Sequence, residues 1–381
     1  MVHRQMQLNI KEYQFIPPFN SPQLERPRAV VLEQSAKKNI DRFVNKAKNL
    51  GCEFRPHFKT HQSAEIGKWF KETGVNGITV TSVAMAQYFA DHGWDDITIA
   101  FPFFPGQIDG VNRLLEKSKL RLLVTNSGIV KWLDKNLDKN ADIMIEINAG
   151  YDRSGISIKE KSEIKEIVNS IHKTEKLNFS GFYIHDGATY KVDSENEIEN
   201  VLSRDLSAFS VLKKDYPDVK YGLGDTPSCS VLDDFGPANE LSPGNFIFFD
   251  LMQYKIGSCS LDDIALLVKV PIAQIKPEND QIIIHGGAAH LSKDYILENG
   301  NPIYGKPVYF DDEQKIQLID ESSVVSLSQE HGIISGAGAL LPHINDDQSI
   351  WICPVHSCLT ANLFTEYYSA DNHKINKRIL S

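Results

Sequence analysis

The sequence predicts an α/β chain in which helices flank a parallel sheet, joined to a second, mostly antiparallel β domain. Two observations carry this. Between residues 28 and 257, β-like runs and helical periods alternate with short links, the pattern of strand–helix units that build a parallel sheet. Beyond about Gly257 the helical periods give way to short β-rich runs divided by Gly, Pro, Asn and Asp clusters, as in antiparallel sheets.

The first 27 residues, rich in proline and polar groups, read as an arm rather than a core element. A β-like run at 28–33 leads into a helical stretch at 35–50. Further strands are expected at 53–56, 77–81, 96–101, 121–125, 142–148, 179–185, 219–222 and 246–250, with the clearest helical periods at 158–173 and 195–214. Counting 29–32, there are nine strand candidates, one too many for an eight-stranded barrel. Hydrophobic pattern alone leaves a doubly wound sheet open. In the second domain the runs are 265–270, 281–285, 306–310, 324–328 and 349–352.

The bulk numbers exclude several classes. With 381 residues the chain can bury two sizeable cores. Its 41% hydrophobic and 24% charged content is that of an ordinary globular protein. No apolar run approaches the roughly 20 residues that span a bilayer. A net charge of −10 without a basic block argues against nucleic acid as a partner. The five cysteines are scattered and odd in number, which suits a reducing compartment better than a disulfide framework. The polar first ten residues lack a signal-peptide core, so a cytoplasmic location is expected.

Several stretches carry groups suited to chemistry. In residues 53–65, Pro56 favours an extended residue before it. Lys59 thus falls near the carboxyl end of a strand, flanked by His57 and His61. Catalytic groups of strand–helix barrels lie at that end, and a lysine partly withdrawn from water can act as nucleophile or base. By spacing alone, an ordinary surface lysine is the stronger reading. Gly224-Asp225-Thr226-Pro227-Ser228 suits either a phosphate cradle or a plain turn. Arg153, in the loop from Asn148 to Gly155, offers a charge-assisted hydrogen bond or only a solvated cation. His185 and Tyr190 follow the sixth barrel strand, where a structural histidine is the commoner case. His356 and Cys358, if extended, face the same side and offer an open nitrogen–thiolate pair that favours zinc over magnesium or calcium. By spacing alone, a half-buried strand with a core cysteine is the stronger reading. In His285-Gly286-Gly287-Ala288-Ala289-His290, a glycine-rich turn is favoured over a second metal site.

Arg55-Pro56-His57-Phe58-Lys59-Thr60-His61 resembles the signature of the D-threonine aldolase and D-serine dehydratase family, pyridoxal-phosphate enzymes of the alanine-racemase fold type. The resemblance implies a (β/α)8 TIM-like barrel that starts with the lysine strand, the first strand joining the β domain. It sets the expected domains at 35–255 for the cofactor-binding barrel, and at 1–34 with 256–381 for the β domain carrying the metal pair. It implies that Lys59 bears pyridoxal 5'-phosphate as a Schiff base and that His57, Arg153, His185 and Tyr190 surround it. Gly224, Asp225 and Thr226 would lie at its phosphate, Asp225 replacing a family serine. His356 and Cys358 match the zinc pair of the D-serine dehydratases, where the aldolases carry His-x-Asp. Ala188 stands where the family commonly has a second histidine, and residues 285–290 depart from the usual Asp–Gly pattern. The implied activity is dehydration of a D-3-hydroxy amino acid, of the D-serine or D-threo-3-hydroxyaspartate type, to a 2-keto acid and ammonia, by a homodimer. Retro-aldol cleavage to glycine and an aldehyde, or racemisation, would keep the same fold. A non-catalytic cofactor carrier would have no use for the metal pair.

Overall fold

The computed structural model describes residues 24–192 and 194–378. The expected N-terminal arm lies, up to residue 23, outside them. The described residues divide into two compact units: 37–247 with Ile256–Ser258 and 377–378, and 24–36 with Phe248–Lys255 and Cys259–Asn376.

Strands are numbered here β1 (Arg28–Val31), β2 (Glu53–Phe54), β3 (Ile78–Val80), β4 (Asp96–Pro102), β5 (Lys119–Val124), β6 (Ala141–Asn148), β7 (Leu177–Ile184), β8 (Lys220–Leu223) and β9 (Glu240–Leu241). In the first unit the parallel order is β2-β9-β8-β7-β6-β5-β4-β3. The ends of this path meet: Thr79 N donates to Pro56 O at 2.9 Å, and Phe58 N to Thr79 O at 2.8 Å, across a parallel bridge from His57 to Thr79. The sheet therefore closes as an eight-stranded barrel. Ile97, Ile99, Leu122, Val124, Ile143 and Ile145 are buried, as expected of parallel strands covered by helices. The helices Ala64–Glu72, Val83–Asp91 and Ser127–Asn136 begin at Ser63, Ser82 and Asn126, whose side chains accept a backbone N–H of the first turn and so satisfy an otherwise orphaned donor.

One expected strand is corrected. Residues 246–250 do not form the last barrel strand; β9 does, between β8 and β2. Pro243 and Gly244 end that pairing, a 3-10 turn follows at Asn245–Ile247, and Phe249 takes a left-handed φ of 46°. The apolar run Phe246-Ile247-Phe248-Phe249 is fully buried. Its hydrophobicity reflects burial on all sides rather than strand pleating.

Five charged side chains bind the foot of the barrel together. The Arg55 guanidinium is bidentate to Asp96 (2.7 and 2.9 Å) and donates to Glu53 at 2.8 Å. Glu240, wholly buried, accepts from Arg121 at 2.5 Å and lies 3.5 Å from Arg55 Nε. Burial alone would expel these charges; their mutual pairing makes the burial tolerable. A Cβ on Gly77 would come within 2.6 Å of the Arg55 guanidinium, so only glycine fits beside it.

The second unit is a ten-stranded sheet. Its strands include β10 (Leu266–Lys276), β11 (Gln281–His285), β12 (Gly305–Phe310), β13 (Ile316–Leu318), β14 (Ser323–Leu327), β15 (His331–Ser335), β16 (Ser349–Pro354), β17 (Glu366–Ser369) and β18 (Lys374–Asn376). The order is β13-β12-β16-β10-β1-β17-β18, with β11 joining β10 to β15 and β14 pairing with β15. All pairs are antiparallel except β1 with β17. Phe248 accepts from Ala265 N at 2.7 Å, which ties the segment 248–255 to this unit. Among the described residues no helix is long and apolar enough to cross a membrane.

Candidate active site and metal pair

The carboxyl ends of β2, β6, β7 and β8 bring together most of the residues singled out from the sequence. Past β2 the chain stays extended to His57, and Lys59 follows two residues later, half-buried. The Lys59 backbone N–H donates to His57 Nδ1 at 3.4 Å. His57 is held well below its ordinary pKa by burial and by the positive charges of Lys59, His185 and Arg153. Burial, Lys59 and Arg153 do the same to His185. Both imidazoles are therefore neutral at physiological pH. Across the motif, His61 is fully buried against Phe58 and Phe70. Burial, opposed by its contact with Ser63 and reinforced by Lys377, lowers its pKa to about 3. It belongs to the packing beneath the lysine.

Arg153 lies in the loop after β6, which Asn148 organises by accepting from Gly150 N at 2.8 Å and Asp152 N at 3.2 Å. Arg153 is exposed, its guanidinium 5.9 Å from the Tyr151 ring centroid, and its charge also reaches Glu146 and Tyr183. His185, at the end of β7, contacts the Gly224 carbonyl oxygen through Nδ1, which leaves Nε2 toward the mouth. Gly224 is required there: a Cβ would fall 2.3 Å from the Tyr183 hydroxyl.

The loop after β8 has a more specific structure than its composition conveys. Asp225 caps the short helix Thr226–Val231, its Oδ1 accepting from Ser228 N at 2.7 Å. Burial raises its pKa to about 7, against the contacts with Ser228 and Thr189 and with the help of Asp186. The negative charge that Asp225 brings beside the expected phosphate position is thus reduced near neutral pH. Thr226 Oγ1 accepts from Gly244 N (3.3 Å) and Asn245 N (3.0 Å), and Thr226 N donates to the Tyr190 hydroxyl at 3.1 Å. The structure thereby connects Tyr190, Thr226 and the 244–245 turn. Tyr183, Gly244 and Asp205 were not anticipated as neighbours of the site. The cap, by contrast, was legible, since Asp followed by Thr-Pro is a helix-start pattern.

His356 and Cys358 belong to the β-rich unit, and here the expected geometry is corrected. They do not share one face of a strand: His356 is the N-cap of the helix Ser357–Leu363, and Cys358 is its second residue. Strand β16 ends at Pro354 because the buried Asp250 carboxylate accepts from Ser357 N at 2.8 Å, which turns the chain into a helix. The two side chains still meet, the imidazole sharing a hydrogen bond with the thiol. His356 Nδ1 lies 2.7 Å from Asp294 Oδ2. That is the carboxylate–histidine arrangement that orients a metal-binding ring and leaves Nε2 as the ligand. The donor set, imidazole and thiolate, fits a zinc-class ion.

Comparison with known proteins bears on the family and the fold. The model for the alanine racemase N-terminal domain matches residues 32–250. The chain belongs to the alanine racemase N-terminal domain family. A second model, the "Putative serine dehydratase domain", matches residues 265–370. Curated relatives of this family member include the D-serine dehydratase of Dictyostelium discoideum, 28% identical, covering 93% of this chain and 95% of that protein. Another is the D-threo-3-hydroxyaspartate dehydratase of Delftia sp. strain HT23, 24% identical over 90% and 93% of the two chains. The solved structure of the Delftia sp. HT23 enzyme superimposes with a TM-score of 0.83 at 23% identity, covering 93% of this chain and 98% of that one. The racemase-type barrel with an appended β domain is therefore the fold of this chain.

Proposed function

We propose that this chain is a pyridoxal-phosphate- and zinc-dependent lyase that dehydrates a D-3-hydroxy amino acid, D-serine or D-threo-3-hydroxyaspartate, to a 2-keto acid and ammonia. The observation that carries this is the convergence of Lys59, two neutral imidazoles and Arg153 at one barrel mouth, in a chain whose relatives include two such dehydratases. This donor set fits an aromatic aldehyde with a phosphate. Lys59 would supply the amine, His57 and His185 would add no charge beside the ring, and Arg153 would offer a charge-assisted hydrogen bond. Gly224, where no side chain fits, and Thr226 receive the phosphate beside Tyr190.

When bound, pyridoxal phosphate supplies an electron sink that acidifies the substrate Cα–H, and zinc on His356 and Cys358 supplies a Lewis acid for a departing hydroxyl. Lys59 Nζ takes the Cα proton. Neutral His57 and His185 add no charge beside that amine, and Arg153 supplies positive charge nearby. Asp294 fixes His356 so that Nε2 stays available. Ala188, where relatives of the resembled family carry a histidine, supplies no group to take the 3-hydroxyl proton, which disfavours retro-aldol cleavage. Assembly as a homodimer is part of the same proposal.

D-serine and D-threonine, fed separately, decide the reaction when keto acid, ammonia, glycine and aldehyde are all assayed. Keto acid and ammonia from D-serine, with a slower rate for substrate deuterated at Cα where that step limits, are expected. Glycine and acetaldehyde from D-threonine, with no keto acid from D-serine, would establish the aldolase instead.

A further inference from the structure

We propose that His285, His290 and Glu330 form a second, separate site for a zinc-class divalent ion on the β-rich unit. His285 ends β11, His290 lies in the short helix Ala288–Leu291, and Glu330 lies in the turn between β14 and β15. One ligand atom from each lies within 4.8 Å of the other two. Two imidazoles and a carboxylate are a donor set that zinc and its neighbours take readily, with positions left for water.

The distances favour a shared centre over a simple ion pair. Glu330 Oε2 lies 3.4 Å from His285 Nε2 and 3.8 Å from His290 Nε2. Both exceed a good hydrogen bond, for which N···O is about 2.9 Å. Ligands bound at about 2.0–2.1 Å in a tetrahedron lie roughly 3.3 Å apart. The two separations from Glu330, 3.4 and 3.8 Å, lie near that spacing. The two rings are perpendicular with centroids 5.4 Å apart, converging rather than stacked.

The backbone holds the ligands ready. Gly286 N donates to Glu330 O at 2.9 Å, Ala288 N to Ser328 O at 2.8 Å and Ala289 N to Gln329 O at 3.0 Å. The two loops are so close that a Cβ on Gly287 would lie 2.4 Å from Gln329 O. The glycines thus serve to press the 285–290 loop against the 328–331 turn. His285 and Glu330 side chains are 40% and 47% exposed and His290 is 19% exposed, so an ion can enter from solvent.

The placement has a consequence for the other metal pair, which lies in the same unit. The segment that carries His285 and His290 continues to Asp294, the residue that orients His356. Leu291 O also accepts from Thr360 Oγ1 at 3.2 Å, in the helix that carries Cys358. An ion in the second site therefore braces the segment that positions the first.

The test counts zinc. The full-length variant His356→Ala/Cys358→Ala, loaded with Zn²⁺ and dialysed, is expected to retain about one equivalent per chain by atomic emission. Adding His285→Asn and Glu330→Gln is expected to remove it without lowering the melting temperature of the metal-free protein. Cobalt in the His356→Ala/Cys358→Ala variant should give visible bands without thiolate charge transfer. If the fourfold variant does not fold, Glu330→Gln in the His356→Ala/Cys358→Ala protein replaces it, with zinc affinity expected to fall at least about tenfold. A His356→Ala/Cys358→Ala protein that holds no zinc, or removal of Glu330 that leaves zinc binding unchanged, would overturn the proposal.

Discussion

Lys59 is a residue whose proposed role rests on its neighbours in the sequence. Spacing left it an ordinary lysine; the motif Arg55 to His61 made it the candidate amine. The structure adds why it suits that role, since His57 and His185 beside it are neutral and Arg153 is not. Lys59→Ala is expected to abolish the visible absorbance of bound cofactor and borohydride trapping, and to lower turnover at least about a thousandfold. Trapping that survives on another lysine would reject the assignment. Asp205 shows what spacing could not reveal. It is fully buried on the helix Glu195–Lys213, and burial, with the charges of Asp186 and Asp225 outweighing Arg204, raises its pKa to about 8. The folded state then binds more protons than the unfolded state between about pH 4 and pH 8, so this group makes stability fall as pH rises through that window. Asp205→Asn is expected to remove that slope and to raise the melting temperature at pH 8, by about 2–4 °C for each kcal/mol recovered. Melting curves at pH 5 and pH 8 for both proteins check it; an unchanged slope would show that Asp205 is ionised throughout.

At the level of elements, the strand–helix alternation was legible because parallel strands buried on both faces read as apolar runs, as at Ile97–Ile99 and Ile143–Ile145. The last barrel strand was not. Glu240–Leu241 is two residues long and carries a buried glutamate, while the aromatic run beside it mimics a strand. Its partners, Arg55 and Arg121, are distant in sequence, so nothing local marks Glu240 as an interior residue. The same holds for His356 and Cys358. The helix start that presents them depends on Asp250, more than a hundred residues earlier. The Arg55 cluster makes a direct test of barrel closure. Gly77→Ala, whose Cβ would press on the Arg55 guanidinium, is expected to destabilise the protein by about 3–5 kcal/mol, the cost of breaking a buried ion pair. Urea unfolding measures it, and a loss under about 1 kcal/mol would mean that the arginine swings aside freely.

At the level of the molecule, the candidate amine and the candidate metal ligands are held by different units: Lys59 on the barrel, His356 and Cys358 on the β-rich unit. The sheet order shows why neither unit is a simple length of chain. Strand β1 from the N-terminal side lies between β10 and β17, so the β-rich unit is assembled from both ends of the sequence around an inserted barrel. In the proposed reaction, holding the cofactor and moving the Cα proton would rest on barrel residues, whereas accepting the charge of a departing hydroxyl would rest on the metal. Removal of metal should therefore stop the reaction while sparing cofactor binding. Dialysis against a chelator is expected to abolish keto-acid formation from D-serine and to leave the visible absorbance of the bound cofactor nearly intact. The melting temperature should fall only modestly, because neither metal site holds a closed set of four protein ligands of the kind that folds a domain. Turnover that returns on adding Zn²⁺ but not Mg²⁺ would identify the ion class through its preference for nitrogen and sulfur donors. Full activity in the chelated protein would remove the metal from the reaction and leave Lys59 with the whole of the chemistry.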